Sequence, residues 1–364
     1  MHHASKVTWA LRTLIAPAAL LVVTLGGTEG GSRAAGVTRL EPRTLATIPG
    51  EVGAFAQDGE FMAWARGVDL YGGRGFVEIQ NVSTSSRKVV ARTRHPDTGG
   101  PSIPLHGFAL AGTRVLVATQ DYSVCSNTYC GFDMYITGLS APGFRPVGRA
   151  SEYTDANGYA YFPPRIPVAG DGSTFTYFAT CPSSDECGIV DDAILRITGE
   201  RHAKVADSPY PTALATDAGR IAAAVLIDRR PARSVVSLWE GARATRFGVG
   251  GEVLALGLSE SRAALLIRRA RQTRLEVRRR SDGSLARRVS LPITAKPSVS
   301  ISSETVVVHV GEAIQRIDVR TGKVSSIASV HGTVIGLSIE GRRVAWAERV
   351  KIRPDRIRAI TLNP

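Results

Sequence analysis

The chain has 364 residues, 43% hydrophobic and 21% charged, with 37 Gly, 19 Pro and a mean hydropathy of +0.00. That composition excludes a disordered chain and a multispan membrane protein, and seven His, four Cys and three Met leave little material for a cofactor enzyme. The formal charge of +13 is concentrated: residues 262–288 hold ten Arg against Glu276 and Asp282, a local +8, while the rest of the chain beyond residue 34 carries +3.

Residues 1–34 read as a secretory signal peptide. Lys6 and Arg12 form a basic start, 14–25 is an apolar run, and Ser32 and Ala34 stand at the −3 and −1 positions of a cleavage site. The run is shorter than the roughly 20 residues that span a bilayer. Export of the chain is therefore expected, with an uncleaved anchor as the other outcome. A single domain over 35–364 follows.

Beyond residue 35 helix periodicity is absent. Short runs of Val, Ile, Ala and aromatic residues alternate with Gly, Asp, Ser and Pro, which predicts strands and turns. An apolar strand, a tight turn and a very apolar strand recur seven times. The turns centre on Gly59, Gly112, Gly172, Gly219, Ser261, Ser303 and Gly341, at spacings of 53, 60, 47, 42, 42 and 38. The first and last copies are nearly the same, Met62-Ala63-Trp64-Ala65 and Val344-Ala345-Trp346-Ala347. Each copy has room for two further strands. Four strands at this period predict a blade of a β-propeller, so the fold class is an all-β, seven-bladed propeller of four-stranded antiparallel blades. The seventh copy supplies three strands. The alternating segment 43–49 fits as its fourth, so that an N-terminal strand closes the last blade.

Asp58-Gly59 followed by Ala63-Trp64, and Asp171-Gly172 followed by Tyr177-Phe178, resemble the WD-like repeats of TolB-type propellers. The resemblance covers 37–364 as architecture. It implies a family of scaffolds, peptide binders and, with a second domain, peptidases. No one of these functions follows from the fold.

Cys125 and Cys130, and Cys181 and Cys187, each follow the second strand of a blade, at the same repeat position in neighbouring blades. Two local disulfides, 125–130 and 181–187, fit an exported chain better than a zinc site, whose ligand spacing is not met by both pairs. Loops after second strands and loops between blades open on one propeller face. On blades one to three these loops are long and gather Tyr71, Tyr122, Tyr129, Tyr153, Asp155, Tyr159 and Tyr161, a set suited to ligand binding.

Catalytic signals are weak. Gly257-Leu258-Ser259-Glu260-Ser261 departs from the nucleophile elbow in its last residue, and no zinc-protease or phosphate-loop motif occurs. His106 and His331 stand where innermost strands begin and are the candidates for a general base at the channel mouth. The sequence points to no cofactor and no metal. Around Leu275 and Val277, the alternating Arg274, Glu276 and Arg278 predict a half-buried strand with a charged outer side. With Arg280 they form a basic patch for an anionic surface. Export and the lack of aromatics among these Arg disfavour nucleic acid. The reading is a secreted or extracytoplasmic, monomeric, non-enzymatic propeller. It binds a protein or envelope polymer through blades one to three, and touches membrane only through an uncleaved anchor or an anionic surface. The rival is a propeller hydrolase or lyase acting at the channel mouth.

Overall fold

The computed structural model describes residues 41–67, 75–92, 105–121, 131–151, 153–154, 160–161, 166–179, 192–292, 298–351 and 354–363. Residues 1–34, read above as a signal peptide, lie outside them. Strand β1 (Arg43–Ile48) precedes the first blade, β2 (Val52–Asp58), β3 (Phe61–Arg66), β4 (Phe76–Asn81) and β5 (Arg87–Arg92). Blade two is β6 (Leu105–Ala111), β7 (Arg114–Asp121), β8 (Gly131–Gly138) and β9 (Arg145–Ser151), followed by the short pair β10 (Tyr153–Thr154) and β11 (Ala160–Tyr161). Blade three is β12 (Val168–Asp171), β13 (Thr174–Ala179), β14 (Ala193–Thr198) and β15 (Arg201–Asp207). Blade four is β16 (Ala213–Asp217), β17 (Arg220–Arg229), β18 (Ala232–Glu240) and β19 (Arg243–Gly250). Blade five is β20 (Glu252–Leu258), β21 (Arg262–Arg269), β22 (Gln272–Arg279) and β23 (Leu285–Leu291). Blade six is β24 (Val299–Ser302), β25 (Thr305–Val310), β26 (Ala313–Asp318) and β27 (Val324–Ser329). Blade seven is β28 (Thr333–Glu340), β29 (Arg343–Arg349) and β30 (Asp355–Thr361).

Blade seven is completed by β1, which pairs antiparallel with β30 from Arg43 opposite Ala359 to Ile48 opposite Asp355. The first strands of the blades touch one another in turn, and β28 returns to β2, so the ring is closed around a central channel. All seven repeat turns are the hairpins between the first and second strands. At Gly112 the requirement for glycine is geometric: φ is +56°, and a Cβ would lie 2.8 Å from the carbonyl oxygen of Gly172.

The core is divided. Seven hydrophobic clusters fill the ring, one at each interface between neighbouring blades. Alternation along second strands makes this possible, because successive side chains point to opposite faces and both faces are covered. In β3, Met62 and Trp64 face blade seven, whereas Ala63 and Ala65 face blade two. In β29, Val344 and Trp346 face blade six, whereas Ala345 and Ala347 face blade one. Large residues thus point to the preceding blade and small ones to the following blade in both copies of the repeated sequence.

Candidate functional site

The first strands run parallel around the channel, so their starting ends share one face and their hairpins share the other. The connections from second to third strands and from blade to blade open on the starting face. Strands β7 and β8, which flank the Cys125 loop, therefore end on the same face as β13 and β14, which flank the Cys181 loop. The crossover from β9 to β12 opens there too. Cys125, Cys130, Cys181, Cys187, Tyr71, Tyr122, Tyr129, Asp155 and Tyr159 themselves lie outside the described residues. Tyr153 and Tyr161 are described in backbone only, as direct partners across the β10–β11 ladder.

A cavity of about 290 Å³ occupies the channel toward this face. Its walls include Phe55, Phe108, Leu214, Leu256 and Ile335, from the first strands of blades one, two, four, five and seven. Its one ionisable lining residue among the described residues is His106. Burial lowers the pKa of this imidazole and keeps it neutral. It stacks edge-on against Phe132, with centroids 5.0 Å apart, and neither ring nitrogen has a hydrogen-bond partner among the described residues. His331 does not line the cavity. It is exposed in the crossover from β27 to β28, where its backbone N–H donates to Glu348 Oε1 at 2.8 Å. The two candidate bases therefore do not converge on one site.

The hairpin end of the channel carries a feature that motif reading passed over. The last residues of β2, β12, β16 and β28 are Asp58, Asp171, Asp217 and Glu340. Asp58 Oδ2 accepts the N–H groups of Gly112 and, at 2.8 Å, Gly172, so one carboxylate ties blade one to blades two and three. Asp171 likewise accepts the N–H of Ala218 in blade four. The Asp-Gly dipeptides were the visible signal, but their meaning depends on hairpins 54 and 114 residues away. Burial raises the Asp58 pKa, the two glycine N–H groups oppose this, and the neighbouring charge of Asp171 raises it further. A carboxylate with a raised folded pKa weakens folding when ionised. That penalty fades as pH falls from neutrality through the folded pKa, and is gone below the unfolded value. Asp58→Asn, which still offers an acceptor oxygen, should therefore raise the melting temperature at neutral pH. The gain should vanish toward the ordinary aspartate range. A constant difference across that pH series would show that the Asp58 charge is not its source.

The Arg patch differs from the sequence expectation. β22 is the third strand of blade five, and the face bearing Arg274, Glu276 and Arg278 is packed against blade four rather than solvated. Both faces of a blade are covered, so a charged strand face must be neutralised internally. Glu276 is fully buried and pairs with Arg274 at 3.0 Å, Arg278 at 2.6 Å and Arg288 at 3.0 Å. Burial pushes its pKa up, but these guanidinium groups prevail and hold it below the usual range. Arg278 lies over the Phe247 ring at 4.9 Å, and Arg274 Nη2 donates to the Gly250 carbonyl at 3.0 Å. Arg280 pairs with Glu240 at 3.2 Å. The three patch residues therefore join blades four and five.

No protein-family profile and no curated protein matches the sequence. Solved structures match the fold. The β-propeller domain of the trilobed protease from Pyrococcus furiosus aligns with 10% identity and a TM-score of 0.55, over 86% of this chain and 96% of that one. Acylaminoacyl peptidase from Pyrococcus horikoshii aligns with 12% identity and a TM-score of 0.53, over 86% of this chain and 52% of that one. The Pan2 WD40 domain of Neurospora crassa gives 12% identity and a TM-score of 0.50, over 86% and 90%. The chain folds as a seven-bladed β-propeller, and what it shares with these structures is that fold. Its structural neighbours include both a peptidase and a WD40 domain, and the Pyrococcus furiosus propeller differs in detail: it is described as having an open velcro topology, whereas here β1 pairs with β30.

Proposed function

We propose that the protein is an exported, non-enzymatic propeller that binds a protein or envelope ligand through the long-loop face of blades one to three. The observation that carries this reading is the channel cavity. It opens toward that face, its lining combines mostly apolar side chains with exposed backbone polar groups, and its only titratable group among the described residues is a neutral His106 with no hydrogen-bond partner among them. General acid–base chemistry is helped by a second group that orients the base, and among the described residues none hydrogen-bonds to His106. A cavity with apolar side chains and a few backbone polar groups, on the face that carries the tyrosine-rich loops, suits a bulky side chain of a peptide. Asp121, Asp155, Asp185, Glu186 and Asp191 belong to the same loops and make a basic peptide the better match. Two local disulfides at Cys125–Cys130 and Cys181–Cys187 would limit loop freedom and so reduce the ordering cost of binding.

Panning a displayed random-peptide library on the full chain tests this. Enriched peptides should carry Lys or Arg beside a bulky apolar residue. Joint replacement of Tyr153, Tyr159 and Tyr161 by Ala should weaken their retention about tenfold or more, since central aromatic residues dominate such contacts. Ala213→Trp, which fills the cavity, should weaken it as well. Retention unaffected by both changes would reject the site. Hydrolysis of the peptides, lost in His106→Ala, would establish the peptidase alternative.

A further inference from the structure

We propose that the hairpin tips of blades four and five form a docking surface for anionic lipid head groups. These are the β17–β18 and β21–β22 hairpins, and both open on the same face as the channel cavity. β17 has ten residues, more than any other second strand, and its burial pattern ends in exposed positions from Ile227 to Arg229. The hairpin therefore stands proud of the rim. Ile227 near its tip is 60% exposed, the most exposed large apolar side chain among the described residues. Arg230 and Arg233 follow it, and Arg269 and Arg271 occupy the neighbouring tip; all four are exposed.

Most of the other basic residues of this sector are engaged. Arg274, Arg278 and Arg288 surround Glu276, Arg280 meets Glu240, and Arg268 meets Glu252 at 2.5 Å. No ion pair occupies Arg230, Arg233, Arg269 or Arg271 among the described residues. The nearby acids are Asp228, which accepts the Arg230 backbone N–H at 3.1 Å, and Glu252. The two tips are held in fixed relation. Ser234 Oγ donates to the Gly251 carbonyl at 2.9 Å, and Arg274 anchors the same crossover through Gly250. Cationic groups around one protruding aliphatic side chain match an anionic bilayer surface. The guanidinium groups stay among the head groups while the isoleucine enters the acyl boundary. A soluble polyanion would satisfy the charges but offers nothing to Ile227, and this decides for lipid. The surface is separate from the peptide site proposed above and does not depend on it.

Sedimentation of the full chain with vesicles of phosphatidylcholine, or of phosphatidylcholine with phosphatidylglycerol, provides the test. The readout is the ratio of the two partition coefficients. The N-terminal segment with Lys6, Arg12 and Arg33 is the same in every variant, so the change in the ratio between wild type and variant reports on the two tips. The wild-type ratio should be well above one at low salt and fall with added salt. Joint replacement of Arg230, Arg233, Arg269 and Arg271 by Glu should reduce it roughly 100-fold or more, to the limit set by the wild-type ratio. Ile227→Ser, which changes no charge, should reduce binding to the anionic vesicles about tenfold. Arg320→Glu with Lys323→Glu, exposed on the opposite face, should leave the ratio within about twofold. A wild-type ratio of one, or an equal loss in the opposite-face variant, would overturn the proposal. Full retention by Ile227→Ser, which leaves the charge unchanged, would also overturn it, because the surface would then read charge alone.

Discussion

Deleting residues 35–50 should lower the melting temperature by more than about 6 °C, or drive the chain into aggregates. The segment contains β1, which supplies the outer strand of blade seven. Ile48 is fully buried in the cluster between blades seven and one, and Leu45 and Ala46 pack against it. Exposing these side chains and breaking the β1–β30 ladder costs on the order of 3–5 kcal/mol. For a chain of this size each kcal/mol shifts the midpoint by about 2 °C. The truncated blade would also present β30 as an unpaired edge, which is a template for association. The ring would not simply open. Val52 N–H still donates to Asp355 Oδ2 at 2.7 Å, and Arg349 Nη2 to the Val52 carbonyl at 2.6 Å, so blades seven and one remain joined. Thermal unfolding and light scattering of the full chain and the deletion variant provide the measurement. An unchanged midpoint with no association would mean that β1 does not secure the ring.

Trp64→Ala should cost about 3–5 kcal/mol in urea unfolding, near the upper end for a core substitution. Trp64 is fully buried between blades seven and one. Its indole Nε1 donates to Glu78 Oε2 at 2.7 Å, and Glu78 also accepts from Arg66 at 2.8 Å and Arg87 at 2.9 Å. The substitution opens a cavity and removes one donor from a buried carboxylate. Trp64→Phe fills much of that space and should cost about 1–3 kcal/mol more than volume alone, because the Glu78 bond is still lost. Its repeat counterpart differs. Trp346 is equally buried, but its Nε1 has no hydrogen-bond partner among the described residues. Trp346→Phe should therefore be milder than Trp64→Phe. If the two Phe variants are equally destabilised, the Glu78 bond contributes nothing.

The sequence by itself determined the repeat, the strand grammar and the closure. Seven turns at spacings of 38 to 60 are local signals: a tight hairpin favours Gly or another residue that tolerates positive φ, and a second strand covered on both faces must be largely apolar. The pairing of 43–49 with the last blade was legible because a three-stranded copy and an unpartnered alternating segment complement each other. Side-chain roles were less legible. Alternation of Arg274, Glu276 and Arg278 with Leu275 and Val277 means a wet face in an open sheet. In a propeller the neighbouring blade covers that face, so charges that looked available for a partner join two blades instead. The hairpin carboxylates show the same limit, since Asp58 acquires its role from the backbones of Gly112 and Gly172, brought near only by the ring. The exposed Arg230, Arg233, Arg269 and Arg271 carry the same charge as their paired neighbours in sequence. Only the tertiary structure separates them, because burial and distance to a carboxylate decide whether a guanidinium is neutralised at home or left for a partner.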